Sequence, residues 1–144
     1  MRLWHYDLFK YLPDMQVRGL WRELNSIFKN QNKHILINFV YKYEKVDLLV
    51  YTQWFLQEME KRGFKFDLKN YYEYFKDLDQ YDLDIHTNWI IAGKNPLFTD
   101  DMRYDYLKIC CWNLYEKLIR GQKGFTEEAK WFIYKICFGP NLGE

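Results

Sequence analysis

Between Pro13 and His34 the large apolar residues Val17, Leu20, Trp21, Leu24, Ile27 and Phe28 recur at intervals of three and four. At 100° per residue they fall within one stripe about 120° wide, the pattern of a long amphipathic helix with one buried face. Such a stripe cannot cover itself and requires other elements packed against it, which is the strongest constraint the chain carries. Arg18, Arg22, Ser26 and Lys29 project near the opposite direction, and Glu23 comes out on the flank, between buried and wet. Helical side chains lean toward the N-terminus, so Glu23 is expected over the turn containing Gly19, where the missing side chain leaves room for another group. A carboxylate held there is the first candidate for chemistry.

The rest of the chain supplies partners for the stripe. Asp14 is placed to cap the first helix, and the polar Lys29 to Lys33 region ends it. Leu48, Tyr51, Thr52, Phe55 and Met59 share one face of a second helix, predicted from Asp47 to Arg62 with Gly63 as its stop. Residues 35–46 fit a strand or a helix equally. Asp67 to Lys76 predicts a short aromatic helix, after which Asp77, Asp79, Asp82 and Asp84 read as an acidic, solvated loop. That loop lacks the glycine and glutamate an EF-hand requires at its sixth and twelfth positions, which counted from Asp77 are Asp82 and Asn88. Asn95 to Asp101 leads into a third main helix with the stripe Leu107, Cys110, Cys111, Leu114 and Leu118, ended by Gly121. Thr126 opens a final helix to about Phe138, stopped by Gly139-Pro140. On that helix Trp131, Phe132, Tyr134 and Lys135 are expected as core with a basic edge. The aromatic residues 1–12 should be tied down against the helices rather than left in water. At 144 residues, the expectation is an all-α, compact, single-domain helical bundle spanning 1–144, with the N-terminal segment packed against it.

Cys110, Cys111 and Cys137 form neither a CxxC pair nor an even disulfide framework, and read as reduced packing residues. With His5, His34 and His86 at unrelated spacings, no zinc pattern can be assembled, so no metal and no cofactor is expected. Apolar runs fall short of the ~20 residues a membrane span needs and the N-terminus lacks a signal-peptide pattern, so a cytoplasmic protein with no membrane contact is expected. The net charge of +1 is unevenly spread. Residues 1–34 carry six basic and three acidic groups (+3), residues 35–101 eight and twelve (−4), and residues 102–144 seven and five (+2). Basic ends around an acidic middle suit a protein that presents one face to a polyanion.

Several of these residues also carry a resemblance. Leu8, Leu12, Asp14, Arg22-Glu23-Leu24, Phe28 and Lys33-His34 at the front, and Lys61-Arg62-Gly63-Phe64 after the second helix, resemble the pyrimidine-dimer DNA glycosylase family, the phage-type endonuclease V group. The opening Met1-Arg2-Leu3-Trp4-His5 with Leu12-Pro13 is similar to a bacterial branch of it, and Trp131 to Lys135 more weakly resembles its C-terminal DNA-contacting segment. The resemblance implies a DNA-repair enzyme acting on double-stranded DNA with a damaged or abasic nucleotide, as a monomer. Its nucleophile would be a free α-amine, here that of Met1 because the large Arg2 disfavours removal of the methionine. Glu23 would be the catalytic carboxylate. Arg2, Arg18, Arg22, Lys33, Trp131 and Lys135 are the implied DNA contacts, and His5 and Gln16 possible polar auxiliaries near the amine. Ser26 stands where the family has an arginine, and Gln16 or Met15 where it has a histidine.

Each residue also has a plainer reading. Glu23 could be a solvated carboxylate paired with Arg22 or Lys29, His5 a packing histidine, and the whole chain a noncatalytic helical DNA-binding or protein-interaction module. His34 and His86 are given no role.

Overall fold

The computed structural model describes residues 3–30, 44–98 and 103–139. Residues 1–2, 31–43, 99–102 and 140–144 lie outside it, and with them the strand-or-helix question over most of 35–46. Among the described residues the secondary structure is all helical: a 3-10 helix, Tyr6–Tyr11, then α1 (Asp14–Asn30), α2 (Lys45–Lys61), α3 (Lys69–Phe75), α4 (Gln80–Ala92), α5 (Arg103–Ile119) and α6 (Glu127–Phe138).

The N-terminal segment is built into the core. Leu3, Trp4, His5, Tyr6, Leu8, Phe9 and Leu12 are all buried. An irregular stretch at that depth must find partners for its backbone. The Tyr51 hydroxyl of α2 donates to the Trp4 carbonyl, and the Tyr106 hydroxyl of α5 donates to the Leu3 carbonyl. The His5 Nδ1 accepts the Asp7 amide at 3.0 Å and so caps the 3-10 helix. At the other end, Arg62 donates to the carbonyls of Phe9 (2.8 Å) and Leu12 (2.7 Å).

The apolar stripe of α1 is buried at all six positions. Asp14 is the first helical residue rather than the cap preceding it: the Val17 amide bonds to the Pro13 carbonyl at 3.0 Å, and the Asp14 carboxylate sits 3.7 Å from Arg62. α2 begins two residues before the expected Asp47, because Asp47 sits inside the first turn and its carboxylate accepts the Glu44 amide at 3.2 Å. Its predicted face of Leu48, Tyr51, Thr52, Phe55 and Met59 is buried, and Phe55 packs against both Phe9 and Trp21. Gly63 ends the helix with φ +83°, where its amide bonds to Glu60 and that of Phe64 to Met59, the pairing of a Schellman motif.

The acidic loop expected over residues 77–84 is instead a helix start. The Asp79 carboxylate accepts the Asp82 amide at 2.9 Å, and the Asp82 carboxylate reaches back to the Asp79 amide at 3.4 Å, a capping box that opens α4. Asp77 pairs with Lys45 at 3.0 Å, whose hydrogen bond and charge hold the carboxyl below its ordinary range. α4 carries no fully buried residue and rides on the outside of α2, with His86 hydrogen-bonded to Gln53. A helix with so little buried apolar surface leaves a weak periodic signal, and its acidic opening outweighs that signal.

α5 and α6 form a hairpin whose inner faces carry Leu107, Cys110, Cys111 and Leu114 against Ile133, Ile136 and Cys137. Leu118, the last position of the expected α5 stripe, is half-buried. The three cysteines are buried and in no disulfide among the described residues, and burial pushes the Cys137 thiol up to about 11 and that of Cys111 higher still. Thr126 caps α6, accepting the Ala129 amide at 3.0 Å.

Two outcomes follow. Tyr51→Phe and Tyr106→Phe each strip a buried carbonyl of its donor and should each cost about 1–3 kcal/mol in urea unfolding. Asp79→Ala removes the α4 cap and should cost about 0.5–2 kcal/mol by the same measurement, whereas a solvated loop aspartate would cost next to nothing.

Candidate active site and nucleic-acid interface

α1 presents three distinct surfaces. Opposite the buried stripe, Arg18, Arg22 and Lys29 are exposed. On one flank lies Glu23, half-buried, with neither a hydrogen bond nor an ion pair among the described residues. Its competing assignment as the salt-bridge partner of Arg22 or Lys29 therefore has no support. The space over Gly19 is bordered by Arg22, whose guanidinium reaches back along the helix: a Cβ built at Gly19 would lie 3.8 Å from its Nη2. That is ordinary van der Waals contact, so the turn below Glu23 is edged by a cation and is not closed by it.

Gln16 shares the Glu23 flank, about 20° away at 100° per residue and about 10.5 Å along the axis. Gln16 is buried and committed elsewhere. Its amide and that of Gln122, in the turn between α5 and α6, bond reciprocally at 2.6 and 3.3 Å. This amide pair ties the Glu23 flank of α1 to the α5–α6 hairpin. His5 likewise follows the packing reading: it is fully buried, caps the 3-10 helix and stacks on Phe98 at 5.7 Å.

The other flank of α1 is lined by residues 64–70, which span the end of the Lys61 to Phe64 motif and the start of the helix expected from Asp67 to Lys76 and observed from Lys69. From Phe64 to Asn70 the chain alternates: Phe64, Phe66, Leu68 and Asn70 are half-buried, while Lys65, Asp67 and Lys69 are exposed. Three contacts fix the inward row. Arg18 lies over the Phe64 ring (5.3 Å), Trp21 stacks on Phe66 (4.9 Å), and Asn70 donates to the Asn25 side chain at 2.9 Å. The signal was present as a period of two in Phe-Lys-Phe-Asp-Leu-Lys.

α6 departs from expectation. Its core face is Ala129, Ile133, Ile136 and Cys137, and Trp131 lies near the opposite side, 75% exposed. Bulk favoured a buried Trp131, but phase decides: two residues from Ala129 or Ile133 is a rotation of about 200°. Lys135 is exposed too, and among the described residues no contact joins either side chain to α1. Met1, Arg2 and Lys33 lie outside the described residues.

Two clefts of about 440 and 530 Å³ open between the 3-10 helix, α2 and the end of α4, with Tyr6, Asp7 and Trp54 lining both. No α1 residue lines either one. No group of three or more His, Cys, Asp or Glu among the described residues could hold a metal, and no described helix is long and apolar enough to cross a membrane.

A family model described as pyrimidine dimer DNA glycosylase matches residues 1–72, while no curated protein and no solved structure matches the chain. The matched stretch covers the N-terminal segment, α1, α2 and the alternating segment, and is half of the 144 residues. The chain therefore belongs to the pyrimidine dimer DNA glycosylase family.

Proposed function

We propose that this protein excises a damaged pyrimidine from duplex DNA through an imine to the α-amine of Met1, with Glu23 as the catalytic carboxylate. The observation that carries the reading is Glu23 itself, a half-buried carboxylate without a described partner, inside a stretch matched by the glycosylase family and beside Arg22. The amine belongs two residues before Leu3, whose carbonyl Tyr106 holds.

The chemistry suits these groups. An α-amine has a reference pKa of about 7.7–8.0 against about 10.4 for lysine, so far more of it is unprotonated at neutral pH. Its lone pair attacks C1′ of the damaged nucleotide, the glycosidic bond breaks, and the base leaves with the bonding electrons and a proton. Loss of the amine proton and opening of the sugar give the imine. Removal of a C2′ proton then expels the 3′ phosphate, and water hydrolyses the imine to free the amine. Glu23 stabilises the positive sugar as it develops and carries protons between these steps. The route needs no cofactor. Arg18 and Arg22, with Arg2 and Lys33, grip phosphates, since guanidinium matches phosphate oxygens as a fork. Trp131 and Lys135 on the exposed side of α6 provide a further contact to DNA.

Borohydride should trap a covalent protein–DNA adduct on duplexes carrying a cyclobutane dimer or an abasic site, and acetylation of the N-terminus should abolish it. Absence of the adduct from protein whose free N-terminus is confirmed by mass would reject the amine mechanism, and duplex binding without trapping would favour a noncatalytic module. Glu23→Gln should keep duplex affinity within a few-fold and lower strand cleavage by about a hundredfold or more, the usual worth of a positioned acid–base group. Cleavage at the wild-type rate would remove Glu23 from the mechanism.

A further inference from the structure

We infer that the alternating segment Phe64 to Asn70 is a phosphate rail, with Lys65 and Lys69 extending the DNA-binding face of α1 on the side away from Glu23. The inference rests on the reading of the chain as a duplex-binding enzyme and adds two contacts that neither the family match nor the helical periodicity of α1 identifies.

The geometry comes from an alternation of burial along residues 64–70, laid beside the outer face of α1. From Phe64 to Leu68 the non-helical chain alternates half-buried and exposed side chains, and Lys69, which opens α3, continues the exposed row. The inward row is held at three points along α1: Phe64 beneath Arg18, Phe66 on Trp21, and Asn70 on Asn25. Asn25 is itself oriented, because its amide nitrogen donates to the Trp21 carbonyl at 2.8 Å and leaves its oxygen for Asn70. The outward row, Lys65, Asp67 and Lys69, therefore stands next to the exposed side of α1.

The charge of the combined surface is predominantly positive. Arg18, Arg22, Lys29, Lys65 and Lys69 are exposed and form no ion pair among the described residues. The acids nearby are Asp14, which pairs with Arg62, and Asp67, whose carboxylate accepts the Lys69 amide at 3.0 Å. Five cations thus face solvent against two carboxylates, Asp67, engaged with backbone, and Glu23 on the far flank of α1. Arg18 connects the two rows, since the ring that seats its guanidinium directly precedes Lys65 in the chain. Cations arranged as a ledge on fixed backbone match the phosphates of a duplex, which they position without reading sequence.

The test is the salt dependence of binding to an undamaged duplex. Each phosphate contact adds about 0.9 to the slope of log K against log salt, so Lys65→Ala/Lys69→Ala should lower the slope by about 1.8. Lys65→Arg/Lys69→Arg should restore it, and removing two exposed charges elsewhere, in Lys10→Ala/Lys94→Ala, should leave it in place. Thermal melts of all variants check that the segment still docks. A double alanine variant with the wild-type slope would overturn the rail while leaving the enzyme reading standing. A wild-type protein that binds no duplex would overturn both, and one that binds with the expected slopes but yields no borohydride adduct would keep the rail and reject the enzyme.

Discussion

Two tyrosine hydroxyls hold the start of this chain. Tyr51 on α2 and Tyr106 on α5 donate to consecutive backbone carbonyls, at Trp4 and Leu3, and so join helices far apart in sequence through a segment with no regular ladder of its own. Burial raises the pKa of the Tyr51 hydroxyl well above its ordinary range, so it remains a neutral donor at any physiological pH. An irregular segment can be buried only when its backbone is satisfied, and here two side chains, with His5 and Arg62 at the ends of the 3-10 helix, meet that requirement. Everything proposed for the α-amine depends on this clamp, because a terminus that frays cannot hold a nucleophile in register.

Arg62 has a different role from the one its place in a basic motif suggests. Lys61-Arg62-Gly63-Phe64 looks like part of a cationic surface, yet the guanidinium is spent on the carbonyls of Phe9 and Leu12 and on Asp14. By occupying Asp14, Arg62 keeps the acidic start of α1 from cancelling the cations of its outer face. Gly63 then turns the chain with φ +83°, so that the next residues run alongside α1.

Periodicity made α1, α2, α5 and α6 legible in the sequence because each carries a stripe that is buried, and their caps and glycine stops follow local rules that need no tertiary knowledge. It failed where burial is slight or phase is ambiguous. α4 buries no residue completely, so the four aspartates at and before its start outweigh its pattern, although Asp79 and Asp82 at a spacing of three are also a helix opening. Trp131 was assigned by size, where the phase set by Ala129 and Ile133 puts it in solvent. The candidate site divides the same way. The position of Glu23 on the border of α1 is a matter of angle and could be read directly. The commitment of Gln16 to Gln122 could not, because it joins residues 106 positions apart.

The net charge of +1 makes a poor guide to what this surface can bind. Charges separated by more than about 8 Å are largely screened at physiological ionic strength, so a polyanion responds to the local face and not to the sum over the chain. Much of the acidic middle is used internally: Asp77 on Lys45, Asp79 and Asp82 on each other's backbone, Glu73 on Lys76. α4, which carries Asp82 and is capped by Asp79, packs on α2, whereas α3 and the segment before it pack on α1. The fold therefore separates the signs that the sequence mixes. It leaves α1 between a carboxylate flank tied to the α5–α6 hairpin and a cationic flank widened by the segment that leads into α3.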